Sequence, residues 1–247
     1  MQNPPKIWDH LSQKYFKNFN DNNIELEAVE NLYFAWPVFK KFIQKNVKNI
    51  KDKRVLDFGC GTGQICAELH SLGFTTTGID YSQGMIKIAK KNIDPLIHLH
   101  LGNSKKAVAI AKKEGPFDLI ISILVFPFIE DIEQTIKDLH SSLTKGGYLC
   151  FAVFNEKWVR EGLKNGVDYE QPPKSKGIKK LIFNFGENRK TDVFPRSAKE
   201  YDKIFATLGY KKLLEKYPLF TSKFIKKVYP KMPQNISEFM ILGYKKP

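Results

Sequence analysis

The residues with the clearest chemical potential run from Val55 to Gly63 (Val-Leu-Asp-Phe-Gly-Cys-Gly-Thr-Gly), where a short apolar run gives way to glycines at 59, 61 and 63. Glycines at a strand–helix junction tolerate positive φ and let bare backbone approach a ligand. A pyrophosphate-binding loop of the G-x-G-x-x-G kind would use position 64, which is Gln64 here, and Asp57 just ahead of the loop would repel a phosphate. A carboxylate there suits a ligand with an ammonium group. Asp80 closes the next β-branched run, Thr75–Asp80, where a carboxylate can accept from both ribose hydroxyls. A nucleoside carrying an ammonium and no phosphate describes S-adenosylmethionine (SAM).

These residues need a scaffold, and the surrounding pattern supplies one. Apolar runs at Arg54–Gly59, Thr75–Asp80, Ile97–Gly102, Phe117–Ser122 and Gly147–Phe154 alternate with helical stretches at Gln64–Leu72, Ser82 to about Asn92, Asn103–Lys113 and Ile129–Leu143. Such alternation predicts right-handed βαβ crossovers and a parallel sheet with helices on both faces. Residues 1–50 predict a helical N-terminal cap, interrupted or restarted at Pro37. The domain proper is expected over 51–247. Within it, 155–195 have little period and contain Pro172-Pro173, which reads as an inserted lid or substrate-facing segment. Ser197–Leu208 returns to helix with Gly209 as its cap, and Tyr210–Tyr217 and Ser237–Lys246 close as an antiparallel pair at the sheet edge.

Four ordered stretches, Val55–Gly63, Gly78–Ser82, Phe117–Ser122 and Leu143–Phe154, resemble the class I SAM-dependent methyltransferases over roughly residues 50–155. The resemblance implies a Rossmann-like, doubly wound α/β sheet of seven strands in the order 3-2-1-4-5-7-6, the last strand antiparallel. It also implies SAM as cofactor and S-adenosylhomocysteine as product. Carried over position by position, it places Asp57, Gly59 and Gly61 in the loop under the methionine part of the cofactor, with Cys60 among the cofactor-binding residues, Gly63 opening the helix and Asp80 on the ribose. Tyr81 and Met85 would flank the adenine, Asn103 and Ser104 would face its amino group, and Ile123 and Leu124 would face the methionine end. Across the whole chain the resemblance is to small-molecule methyltransferases. Where those relatives are expected to carry histidines, this chain has Pro195 and Phe154-Asn155, so a histidine base is not implied and no catalytic residue is named. Tyr15, Tyr33, Trp36, Asn155 and Arg196 stand as acceptor-contact candidates, each with packing as its alternative.

Composition narrows the setting. The chain has 247 residues, enough for a sizeable core, and 19 Phe, 10 Tyr and 3 Trp exclude a disordered chain. No apolar run is long enough to span a membrane, and the first residues lack a secretory apolar segment, which predicts a cytoplasmic protein. Cys60, Cys66 and Cys150 have no metal-ligand spacing; the first two read as small core residues. His98 and His100 on one strand face, and His140 late on a helix, read as packing or a helix-end charge. Of the net charge of +14, a surplus of twelve lies beyond residue 173, with 18 Lys+Arg against 6 Asp+Glu. A solvated lysine face and an RNA platform compete for it. With only four arginines in the chain, the first is favoured. Three functions therefore stand in order: transfer to O or N of a small molecule, methylation of RNA such as tRNA, and SAM binding without transfer. Monomer and dimer both stay open.

Overall fold

The computed structural model describes residues 6–12, 34–173, 177–186 and 189–247. Residues 6–12 form helix α1. Helix α2 (Trp36–Asn46) carries Pro37 in its first turn, where the missing N–H has no intrahelical partner to lose. The alternating core follows as β1 (Arg54–Phe58), α3 (Gln64–Ser71), β2 (Thr75–Asp80), α4 (Gln83–Asn92), β3 (His98–Leu101), α5 (Ser104–Glu114), β4 (Phe117–Ile123), α6 (Ile132–Ser142) and β5 (Leu143–Phe154). A 3-10 turn, Phe126–Phe128, links β4 to α6. Beyond it come α7 (Glu156–Asn165), β6 (Tyr169–Glu170), β7 (Leu181–Asn184), β8 (Lys190–Val193), α8 (Ala198–Thr207), β9 (Lys211–Lys216), α9 (Ser222–Val228) and β10 (Phe239–Lys245).

Seven strands form one sheet in the order β3-β2-β1-β4-β5-β10-β9, while β6, β7 and β8 form a separate antiparallel sheet. The first five strands pair in parallel, and β10 runs antiparallel to both β5 and β9. This is the expected order. Strand β10 lies inside the sheet and β9 forms its edge; the two are joined through α9, not by a tight hairpin. The chain progresses outward from β1 in both directions, so a crevice opens at the carboxyl ends of β1 and β4, the usual ligand position in such sheets.

Strand periodicity explains the two-sided core. Leu56, Ile120, Phe151 and Leu242 face α5, α6 and α8, meeting Ile110, Ile136 and Phe205. Their neighbours Val55, Leu119, Ile121 and Ile241 face the other way, onto Trp36, Phe39 and Ile43 of α2 and Leu69 of α3. Helix α2 is thus one of the layers that cover the sheet.

The stretch 155–195, aperiodic by sequence, contains α7 and the small sheet. Helix α7 is charged on most of its surface and buries Trp158, Val159 and Gly162, a stripe too narrow to register as a period. Its bounds are set instead by Asn155, which accepts from the Lys157 N–H, and by Gly166 in the left-handed region. The insert packs with the 217–238 segment into a third core, in which Phe154, Trp158 and Tyr169 meet Phe220, Met232 and Phe239.

Candidate functional site

The glycine loop leaves β1 at Phe58 and turns through Gly59, Gly61 and Gly63 at φ of +80°, +53° and +90°. The N–H groups of Gly59 and Cys60 both donate to the Ile79 carbonyl, at 2.7 and 3.0 Å, which ties the loop to β2. The glycines serve different ends. A Cβ on Gly59 would lie 2.0 Å from a Val125 methyl, whereas one on Gly61 would meet nothing within 4 Å. Bare backbone at Gly61 therefore faces open space.

Two carboxylates lie against this loop. Asp80, 8% exposed, accepts from the Gly61 N–H through Oδ2 at 2.9 Å and from the Ser82 N–H through Oδ1 at 2.8 Å. Each oxygen keeps a second lone pair for a ligand hydroxyl. Burial still raises its pKa, against the lowering by those amides. Asp57, 2% exposed, accepts from the Cys66 thiol at 3.3 Å, and burial pushes its pKa up to about 7. Between Val55 and Met85 the chain has no Lys or Arg. A loop with two buried acids and no cation fits a cationic ligand such as SAM and opposes a pyrophosphate. The Cys66 thiol is pushed up by its contact with Cys60, by burial and by Asp57; the Cys60 thiol is lowered by that contact but raised on balance by burial and the nearby acids, so both stay protonated and un-nucleophilic.

The other cofactor candidates spread around this centre. Tyr81 is 36% exposed at the rim, while Met85 is buried and donates its N–H to the Ser82 hydroxyl that caps α4. Asn103 caps α5 by accepting from the Lys105 N–H, and the Ser104 hydroxyl donates to Asp138 of α6 at 2.7 Å. Ile123 ends β4 in the core, and Leu124 follows at φ +55°, its N–H held by the Ala152 carbonyl. A branched side chain in that region is strained, and such strain concentrates at functional sites.

Among the acceptor candidates, Tyr15 and Tyr33 lie outside the described residues. The remaining three have partners within the fold. The Trp36 indole donates to Glu68 at 2.8 Å, joining α2 to α3. The Asn155 amide donates to the Ser237 carbonyl at 2.8 Å while its oxygen caps α7. Arg196 donates to the carbonyls of Phe126, Ile129, Glu130 and Phe194, clamping the turn after β4. Sequence reasoning passed over a cluster of half-buried rings: Trp8, Phe128, Phe183 and Phe185, with Trp8 5.2 Å from both Phe128 and Phe185. Its sequence signal is the i, i+2 spacing of Phe126/Phe128 and Phe183/Phe185.

Several C-terminal lysines are also used internally. Lys212 pairs with Asp202 and Glu215, Lys190 with Glu170 and Lys180 with Asp192. Lys246 donates to the carbonyls of His140 and Leu143 at the end of α6. Among the described residues no helix is long and apolar enough to cross a membrane.

Comparison with known proteins agrees with this geometry. Residues 33–215 match the family model described as a methyltransferase domain. The ubiquinone biosynthesis O-methyltransferase of Coxiella burnetii (strain Dugway 5J108-111) is 29% identical over 128 residues, 51% of this chain and 54% of that protein. The protein of the same name from Bradyrhizobium diazoefficiens is 30% identical over 122 residues, 48% of this chain and 47% of its own. The chain spans about half the length of the curated relatives it matches. Among solved structures, a putative SAM-dependent methyltransferase from Listeria monocytogenes superposes with a TM-score of 0.65 at 17% identity, covering 84% of this chain and 96% of that one. A DhpI complex with SAM covers 98% of this chain and 95% of its own at a TM-score of 0.61 and 14% identity. The chain belongs to the methyltransferase-domain family, with the motif order and sheet of its class I SAM-dependent members.

Proposed function

We propose that this chain is a SAM-dependent methyltransferase acting on an oxygen or nitrogen of a small-molecule acceptor, in the cytoplasm. The observation that carries the reading is the loop itself: bare backbone at Gly61 facing open space, set against Asp57 and Asp80, in a stretch from Val55 to Met85 that contains no Lys or Arg. Bound there, SAM supplies a methyl group on a positively charged sulfur. The acceptor lone pair takes the methyl in line, the carbon–sulfur electron pair stays on sulfur, and any acceptor proton passes to water.

The chain's own residues orient and shield. In this reading Asp80 accepts from the ribose hydroxyls and Asp57 faces the ammonium end, with Gly59, Cys60, Gly61 and Gly63 presenting backbone. Tyr81, Met85, Asn103 and Ser104 border the adenosine end; Ile123 and Leu124 border the methionine end. Holding nucleophile and methyl near contact supplies roughly 7–11 kcal/mol. A general base would add about 10²–10⁴-fold, but no histidine stands at the positions where one was expected, so the acceptor's own acidity carries the proton. The 155–195 insert and the N-terminal segment form the acceptor side, where the half-buried rings suit an apolar, flat-faced molecule. The relatives named for O-methylation in ubiquinone biosynthesis support an oxygen acceptor. Internal use of Lys180, Lys190, Lys212 and Lys246 weighs against an RNA platform.

The test is label transfer: the protein with methyl-labelled SAM and a cell extract divided into RNA and small-metabolite fractions. Label in metabolites is expected. Label in RNA instead would replace this reading, and binding without any transfer would reduce the chain to a SAM-binding protein.

A further inference from the structure

The helical residues 6–12 of α1 rest on two separate parts of the site. Its first support is the amino end of α4. Asp9 Oδ1 accepts from the Ser82 hydroxyl at 2.6 Å and from the Gly84 N–H at 2.8 Å, where a helix start favours negative charge. Gly84 is shaped for this contact. A Cβ there would lie 3.1 Å from the Asp9 Cα, 3.2 Å from its carbonyl oxygen and 3.0 Å from the Ser12 hydroxyl.

Ser82 makes the contact more than adhesive. It gives its hydroxyl hydrogen to Asp9 and its backbone N–H to Asp80, so the residue that holds α1 also holds the acid assigned to the ribose. The second support is the aromatic wall. Trp8 packs edge-on against Phe128 after β4 and Phe185 of the insert, at 78° and 75°, and its indole lies beside the Tyr81 hydroxyl at the cofactor rim. Helix α1 thereby touches the cofactor rim, the end of β4 and the insert. Ile7 and Leu11 are its buried anchors.

We infer that α1 is a latch: Asp9 on the first turn of α4 and Trp8 across Tyr81, Phe128 and Phe185 close the cleft over bound cofactor and complete the acceptor wall. Asp9 and Trp8 are then positioning residues, and binding is ordered. SAM enters with α1 lifted, α1 docks, the acceptor meets the finished wall, and S-adenosylhomocysteine leaves when α1 lifts again. This rests on the cofactor position proposed above.

Rapid mixing of the full chain with radiolabelled S-adenosylhomocysteine reads association and dissociation separately. Gly84→Ala is the sharpest variant, because it crowds α1 without changing any residue of α1, and Ala favours α4 itself. Gly84→Ala and Asp9→Ala are each expected to speed dissociation about tenfold while association stays within about twofold. Trp8→Ala should do the same and Trp8→Phe should largely restore it. A distorted site would instead slow association, and that result, or unchanged dissociation in both Gly84→Ala and Asp9→Ala, overturns the latch. Wild-type protein that binds no S-adenosylhomocysteine overturns the cofactor reading and the latch together; binding with unaltered variants removes the latch alone.

Discussion

Asp80→Asn separates binding from folding. The carboxylate serves two backbone donors, Gly61 through Oδ2 and Ser82 through Oδ1. Asparagine can satisfy one with its oxygen, and its NH2 then confronts the other N–H, which costs about 1–3 kcal/mol. Against that loss stands a gain. Burial raises the pKa of Asp80 despite those amides, so the charged form is poorly solvated, and a neutral amide escapes the penalty. The two effects oppose each other, so the variant should remain folded with a Tm close to that of the wild type. Binding has no such compensation. A ribose hydroxyl that loses a charged acceptor forfeits about 1.5–3 kcal/mol, which raises Kd roughly 10–150-fold. Titration calorimetry with S-adenosylhomocysteine, alongside thermal unfolding of the same samples, measures both. A folded variant whose Kd stays within a factor of two would mean that the cofactor does not reach Asp80.

Two further predictions concern the same loop. The pKa of Asp57 is raised by burial from 3.8 to about 7, so the ligand-free protein should lose stability as pH rises from about 4 to about 7. Asp57→Asn should then raise Tm at about pH 8 while weakening SAM binding, and cofactor binding to the wild type should release a proton at about pH 6 but not at about pH 9. Calorimetry in buffers of different ionisation heat detects that proton, and a buffer-independent heat at the lower pH would contradict the assignment. Gly59→Ala and Gly61→Ala should part company. The first sets a Cβ against Val125 and should cost about 2–4 kcal/mol of stability by chemical denaturation. The second meets no protein atom and should cost only about 1–2 kcal/mol, yet lower S-adenosylhomocysteine affinity at least tenfold if ligand covers that backbone. Equal affinity in Gly61→Ala would remove the ligand from the loop.

What could be read from the sequence was local. Strands β1, β2 and β4 are buried on both faces and appear as short apolar or β-branched runs, and the cap at Ser82 lies three residues from the N–H it serves. The glycine loop and its acids were legible because strand, turn and helix are contiguous. The aromatic wall proposed for the acceptor was not, because its parts meet only after folding. Trp8, Phe128 and Phe185 come from three distant segments, and no periodicity links them. Arg196 shows the same limit. Its type suggested an anionic ligand, but its partners are backbone carbonyls, most of them more than 60 residues away in the chain. Charged α7 hid its helix, although Asn155 and Gly166 marked both ends.

The third core has a consequence for the order of events during synthesis. Phe154 ends β5 and Phe239 begins β10, and the two are register partners whose rings stack 6.3 Å apart. The insert and the 217–238 segment can consolidate around them only once β10 has entered between β5 and β9. Contacts so distant in sequence form late, because the loop they close must be ordered first. A ribosome-bound chain can therefore shape its glycine loop from neighbouring strand–helix units while the third core is still unformed, and a slow or failed β10 insertion would leave the loop in place without the wall proposed to receive the acceptor.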